Sequence, residues 1–202
     1  MSEFDARAHE WDKNPMHWER SEAIAKAFLE MVPVNPEMKA MEYGAGTGIL
    51  SFLLSGKFSE ITLMDNSTQM VQVMTEKVQK SGLKHFYPLL FDLEHSDYKG
   101  SNFDCILSQM VLHHVGDVPN ILQKFYSMLN SEGYLAIADL YTEDGSFHGP
   151  GANVHLGFDP EILKEILLSK GFSDVRYETC FEVERENGKK FPIFLIVCQK
   201  HI

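Results

Sequence analysis

The chain has few cysteines, few basic residues and no long apolar run, and each shortage excludes a class of function. Three cysteines, Cys105, Cys180 and Cys198, are spread over 202 residues with no metal-ligand spacing. They cannot build a disulfide framework, and the apolar runs around Cys105 and Cys198 fit buried free thiols. Lysine and arginine total 18 against 29 acids, for a net charge of −11. A chain so acidic, with no basic stripe, does not displace the counterions of a nucleic acid and is not drawn to an anionic membrane surface. No apolar stretch approaches the ~20 residues of a membrane span. The opening Met1 to Glu10 is polar and lacks the apolar centre of a secretory leader, so a cytoplasmic location is expected. What remains is the composition of an ordinary globular protein, 44% hydrophobic and 23% charged, with length for one domain over residues 1–202.

The most informative segment is Met41-Glu42-Tyr43-Gly44-Ala45-Gly46-Thr47-Gly48. An apolar run leads into it and the amphipathic stretch Ile49 to Leu54 leads out, which reads as strand, tight turn and helix start. Glycine takes positive φ and admits a ligand to the backbone, while the helix start offers free N–H groups. Asp65 closes the next apolar run, 21 residues after Gly44. About 20 residues is the offset at which a second-strand carboxylate reaches a ribose diol. An adenosine-containing ligand follows.

Two familiar adenosine ligands fail the spacing. The dinucleotide pattern G-x-G-x-x-G is replaced by G-x-G-x-G, with Ile49 after Gly48. No Gly-Lys-Ser/Thr follows to hold phosphates, and no Lys or Arg lies between Met41 and Gly56. A nicotinamide oxidoreductase is further disfavoured by the lack of a Tyr-x-x-x-Lys pair at a plausible strand end. Glu42 would repel a pyrophosphate but suits a cation such as S-adenosylmethionine, which carries an ammonium and a sulfonium.

MEYGAGTG resembles the first motif of the class I S-adenosylmethionine-dependent methyltransferases, with Glu42 where the family usually has Asp. LMDNS (Leu63 to Ser67) is similar to the second-strand motif whose acid binds the ribose hydroxyls. FDLE (Phe91 to Glu94) looks like the third-strand motif, whose Asp holds the adenine amine. FDCILSQMVLHHV (Phe103 to Val115) resembles the fourth-strand motif of small-molecule methyltransferases of the ubiquinone-biosynthesis type. The resemblance covers the chain from Met38 onward. It implies an α/β, Rossmann-like doubly wound fold of seven strands, ordered 3-2-1-4-5-7-6 with the last pair antiparallel. It also implies S-adenosyl-L-methionine as cofactor, S-adenosyl-L-homocysteine as product, and a small molecule as the other substrate. The remaining alternative is a cofactor-binding regulatory pseudo-methyltransferase without turnover.

The pattern of elements agrees with such a fold. Strands are expected near 39–43, 60–65, 85–91, 103–108 and 133–139, and helices near 48–55, 67–80 and 117–129. Asn66-Ser67 and Asp117 are placed to cap helices, and Gly82 and Gly133 to stop them. A helix from Pro160 follows Asp159 as cap, and two β-rich runs, Val175 to Glu184 and Phe191 to Gln199, form a hairpin. With a lead-in of residues 1–35 and a core of residues 36–202, two segments fall outside the alternating pattern of strands and helices. One is the helical lead-in itself, with Phe4, Trp11, Trp18 and Phe28. The other is the glycine-rich connection Tyr141 to Phe158. The resemblance implies that both cover the substrate as a lid, and a loop as long as the second is usually functional or mobile.

Candidate site residues follow from these placements. Glu42, Gly44, Ala45, Gly46, Gly48, Asp65, Asn66, Asp92, Leu93 and Ser108 are expected to hold the cofactor. Trp11, Trp18, Gln109, Met110 and Asp139 are expected to face substrate. His114 is the candidate general base, since imidazole titrates near neutrality; a structural hydrogen-bonding role competes. No metal is expected, because Asp139, His148 and His155 are scattered in sequence.

Overall fold

In the computed structural model, which describes residues 3–100, 102–149 and 151–201, the lead-in comes first. It comprises α1 (Glu3–Arg7), a 3-10 segment (Ala8–Lys13) and α2 (Pro15–Met31). Alternating elements follow: β1 (Lys39–Tyr43), α3 (Ile49–Leu53), β2 (Glu60–Asp65), α4 (Thr68–Ser81), β3 (Phe86–Leu90) and β4 (Phe103–Gln109). A 3-10 turn (Leu112–His114) and α5 (Val118–Met128) lead to β5 (Leu129–Leu140). The chain closes with α6 (Pro160–Ser169), β6 (Phe172–Glu184) and β7 (Lys190–Lys200).

The strands form one seven-stranded sheet in the order β3-β2-β1-β4-β5-β7-β6, the order that the resemblance implied. The first five pair in parallel; β7 runs antiparallel to both β5 and β6. Residues alternate between two apolar layers, as the strand period of two requires. Ala40, Cys105, Leu107, Leu195 and Val197 pack with Ile24, Phe28, Leu50 and Met74 from α2, α3 and α4. Their neighbours Met41, Ile106, Phe194 and Ile196 pack on the other face with Leu122, Phe125, Leu163 and Leu167 from α5 and α6. Covered on both faces, the central strands read as continuous apolar runs.

Helix limits follow the capping residues. The side chains of Ser67, Asp117 and Asp159 accept from the amides of Met70, Asn120 and Glu161, and Gly82 ends α4 at φ +70°. Gly133 does not stop α5. That helix ends at Met128, where Leu129 turns extended and pairs with Phe103; the register then shifts before Tyr134 pairs with Cys105. Gly133 lies in this irregularity, where an added Cβ would meet the Asn130 carbonyl oxygen at 2.9 Å. Among the described residues no helix is long and apolar enough to cross a membrane.

Candidate active site

The parallel strands end at one edge of the sheet, and β1 and β4 part there into different helices. A cleft of about 860 Å³ opens at this edge, inside the usual ~300–1,000 Å³ of small-ligand sites. Its floor is the loop after β1. Gly44, Gly46 and Gly48 have φ of +67°, +56° and +83°, a region costly for other residues. At Gly44 a Cβ would also stand 2.3 Å from Val111 Cγ2, so the loop and the turn after β4 close on one another only through glycine.

Asp65, at the end of β2, faces this loop. Its carboxylate accepts the Gly46 amide at 2.7 Å and the Ser67 amide at 2.8 Å. Burial raises its pKa, and these backbone bonds oppose the rise. Ala45, Asn66, Leu93, Gln109, Met110, Trp11 and His114 also line the cleft. Met110 holds φ +57° with its amide on the Ala138 carbonyl, a left-handed bend that turns the chain out of β4.

Glu42, Gly48, Asp92, Ser108, Asp139 and Trp18 do not line the cleft. Glu42 is buried behind the loop, where one oxygen accepts the hydroxyl and amide of Ser51 and Oε1 has no partner. Burial lifts its pKa to about 7 despite the Ser51 bonds. Ser108 is also buried, and its Oγ lacks a partner. Asp92 turns onto its own loop, accepting the Glu94 and His95 amides and pairing with His95 Nδ1 at 2.8 Å. Trp18 donates its indole N–H to the Asp12 carbonyl, with Lys77 Nζ 5.7 Å from the ring centroid.

Asp139 is fully buried at the end of β5. It accepts the Leu140 and His113 amides and pairs with His113 Nδ1 at 2.7 Å. His113, His114 and His148 form a cluster at the cleft wall. Burial, together with His113 and His148, pushes the His114 pKa down to about 4. An imidazole so weakly basic is neutral near pH 7 but far from the pKa best suited to a general base.

Several cleft residues carry no sequence signal of their own. The lead-in supplies Arg7, Glu10, His17 and Arg20, beside the expected Phe4, as one wall. Trp11 stacks on His17 with centroids 4.1 Å apart, and Phe4 meets His114 edge-on at 5.1 Å. Arg20 is buried, and its Nε finds no partner; burial lowers its pKa to about 10, and Asp139 works in the other direction. The lead-in is fastened by two carboxylates. Asp5 accepts from the Ser67 hydroxyl and the Gln69 amide, and Asp12 joins Thr47 Oγ1 to Lys77 Nζ. A periodic pattern could have placed these residues on a helix, but not opposite the glycine loop.

The cleft suits S-adenosylmethionine on its own geometry. The glycine cradle excludes side chains, Asp65 sits beside it, and apolar Tyr43, Met70, Phe91 and Leu93 offer walls for a purine. No cation within residues 44–48 is available for a pyrophosphate.

The sequence profile of the family described as "Methyltransferase domain" matches residues 34–169. An uncharacterized methyltransferase, C1347.09, of Schizosaccharomyces pombe is 26% identical over 153 residues, covering 68% of this chain and 54% of its own length. Among solved structures, the methyltransferase in complex with the Trm112 activator of Haloferax volcanii superposes with a TM-score of 0.80. It is 16% identical and covers 100% of this chain and 99% of its own. A phosphoethanolamine N-methyltransferase of Haemonchus contortus, solved with phosphomonomethylethanolamine and S-adenosylhomocysteine, gives 0.75 at 18% identity. It covers 92% of this chain and 53% of its own. The chain thus spans about half the length of the fission-yeast and Haemonchus proteins, and at these identities the structural likeness is one of fold. Matched by the profile over two thirds of its length, with the motifs in order and the cleft where they converge, the chain belongs to the methyltransferase domain family.

Proposed function

We propose that the protein is an S-adenosylmethionine-dependent methyltransferase acting on a small molecule. The observation that carries this reading is one cleft bounded by the glycine loop and Asp65 on one side and by the lead-in on the other. The bound cofactor supplies a methyl group on a positively charged sulfur, already activated for displacement. Gly44, Ala45 and Gly46 would meet its polar backbone-facing edge, Asp65 and Asn66 its ribose, and Leu93 its purine. Glu42 acts from beneath, holding the start of α3 behind the loop through Ser51.

The chain's remaining task is alignment and exclusion of water. Holding the reactants in near-attack geometry can contribute on the order of 7–11 kcal/mol. Trp11, Gln109, Met110 and His114 would orient the acceptor. Arg20, a buried guanidinium in the same wall with Asp139 as its nearby counter-charge, favours an acceptor that carries a carboxylate or phosphate. The Haemonchus protein, solved with a phosphorylated amine, makes such an acceptor reasonable for this fold.

The test is calorimetry with S-adenosylhomocysteine and with NAD, followed by transfer of labelled methyl from S-adenosylmethionine to a panel of acidic metabolites. Binding of NAD without S-adenosylhomocysteine would overturn the reading. Cofactor binding with no transfer to any small acceptor would point to the regulatory alternative.

A further inference from the structure

Three imidazoles meet at one wall of the cleft although their sequence positions are far apart. His113 and His114 lie in the 3-10 turn after β4. His148 arrives from the connection between β5 and α6. That connection is folded back by hydrogen bonds from the His155 amide to the His113 carbonyl and from His155 Nε2 to the Val115 carbonyl, at 2.8 and 2.9 Å. The ring centroids of His113 lie 4.2 Å from those of His114 and 4.8 Å from those of His148. One nitrogen of each ring falls within 4.8 Å of the others. Among the described residues no other group of three histidine, cysteine or acidic side chains converges in this way.

His113 is already oriented as metal-bound histidines are. Its Nδ1 is committed to the buried Asp139 carboxylate at 2.7 Å, which places the proton there and leaves the Nε2 lone pair free on the far side of the ring. We propose that His113, His114 and His148 hold a divalent transition-metal ion of the zinc class, with an open coordination position facing the cleft. Three nitrogen donors without a carboxylate favour zinc, cobalt or nickel over magnesium or calcium. Three protein ligands with a fourth position open is the arrangement of zinc sites that act on a bound molecule. Zn–N bonds of ~2.0–2.1 Å require the nitrogens to draw in to about 3.4 Å apart. His148, carried by the connection between β5 and α6 and not by the sheet, is the ligand that would draw in, its ring keeping to the side of His113 and His114 on which it already packs.

The site rests on the histidines alone. Its use rests on the methyl-transfer reading: the open position would take an electron-pair donor of the acceptor, in the cleft that the glycine loop also lines.

The test uses the full chain, stripped by a chelator and titrated with Co2+ alone, followed by visible absorption and calorimetry. One ion per chain, with a tetrahedral spectrum that Zn2+ displaces, is the expected result. His114→Ala and His148→Ala should each abolish the spectrum, and Asp139→Asn should weaken binding by roughly 10–100-fold. His201→Ala, distant from the cleft, should bind as the parent does. Far-ultraviolet circular dichroism and a cooperative thermal transition report whether each variant is folded, and His148→Gln offers a gentler change if His148→Ala is not. Absence of Co2+ binding, or binding that survives the paired His114→Ala and His148→Ala change, would overturn the metal site while leaving the methyl-transfer reading intact. Loss of S-adenosylhomocysteine binding by the parent, with Co2+ still bound, would do the reverse.

Discussion

Glu42 and Ser51 form a buried pair directly beneath the glycine loop, with both the Ser51 hydroxyl and amide donating to one carboxylate oxygen. Because burial disfavours its charged form more than the Ser51 bonds favour it, and the other oxygen is unpartnered, the Glu42 carboxyl stays protonated to about pH 7 in the folded protein, above its ordinary value of 4.5. Between those values the folded state holds more protons than the unfolded one. Stability from this group is therefore complete at low pH and falls as pH rises through about 7. The loss approaches about 3 kcal/mol at alkaline pH, at 1.36 kcal/mol per pKa unit. Glu42→Gln should thus stabilise the cofactor-free protein at about pH 8.5 and have little effect near pH 5. Melting temperatures of both proteins at the two pH values decide it; an equal difference at both would refute the buried charge.

Gly44 and Val111 leave no room for a methyl group between them. Gly44→Ala should destabilise the protein by at least ~1–3 kcal/mol, from positive φ and steric overlap together. It should also remove measurable cofactor binding. Adding Val111→Ala removes the methyls at 2.3 and 2.7 Å but leaves the Cβ at 3.0 Å and the positive φ, so stability should return only in part, read from denaturant midpoints. Complete recovery would mean that φ is unimportant there.

Asp65 holds the loop and faces the cleft, so Asp65→Ala should cost S-adenosylhomocysteine about 1.5–3 kcal/mol of binding, the worth of a hydrogen bond to a charged group. Turnover at saturating cofactor should change far less, because the ribose is remote from the transferred methyl. Unchanged affinity in calorimetry would reduce Asp65 to a support for the Gly46 and Ser67 amides.

What the sequence made legible was local. Gly44 to Gly48 and Asp65 announce a turn and a strand end, and Ser67, Asp117 and Asp159 announce helix starts through contacts two or three residues long. The contacts that shape the cleft are of another kind. His113 meets Asp139 from 26 residues away, and Asp12 meets Lys77 from 65. No periodicity encodes such pairs, because the sheet order and the folding-back of residues 141–158 create them. The same reason explains Trp18. Its aromatic character marked it as a lid residue, yet the turn at Asn14 directs Trp11 to the cleft and Trp18 to Lys77.

Arg20 provides a direct probe of the acceptor. Arg20→Gln removes the buried cation while keeping much of its volume. The KM for a carboxylate- or phosphate-bearing acceptor should rise at least ~10-fold, about the 1.5 kcal/mol of one charged hydrogen bond. S-adenosylhomocysteine affinity should stay close to the parent's. An equal loss for cofactor and acceptor would show that Arg20 supports the wall and does not read the substrate.

The lead-in is joined to the glycine loop through Asp12, which links Thr47 Oγ1 and Lys77 Nζ, the latter at 2.6 Å. Both charged side chains are about a quarter exposed, so the ion pair contributes little to global stability, on the order of 0–1 kcal/mol. Its importance lies in where it acts. The 3-10 segment that carries Glu10 and Trp11 contacts the loop at this point, while α2 is anchored independently by Ile24 and Phe28 in the core. Asp12→Ala should therefore leave the denaturation midpoint nearly unchanged while speeding hydrogen exchange over residues 3–13. Cofactor dissociation should quicken in step, because one wall of the cleft opens more often. A truncation that tests the same point belongs before Asn14, since a cut at residue 20 would remove the buried His17 and Arg20 from α2. If exchange over residues 3–13 rises and cofactor dissociation does not, the lead-in is packing and has no part in retaining the ligand.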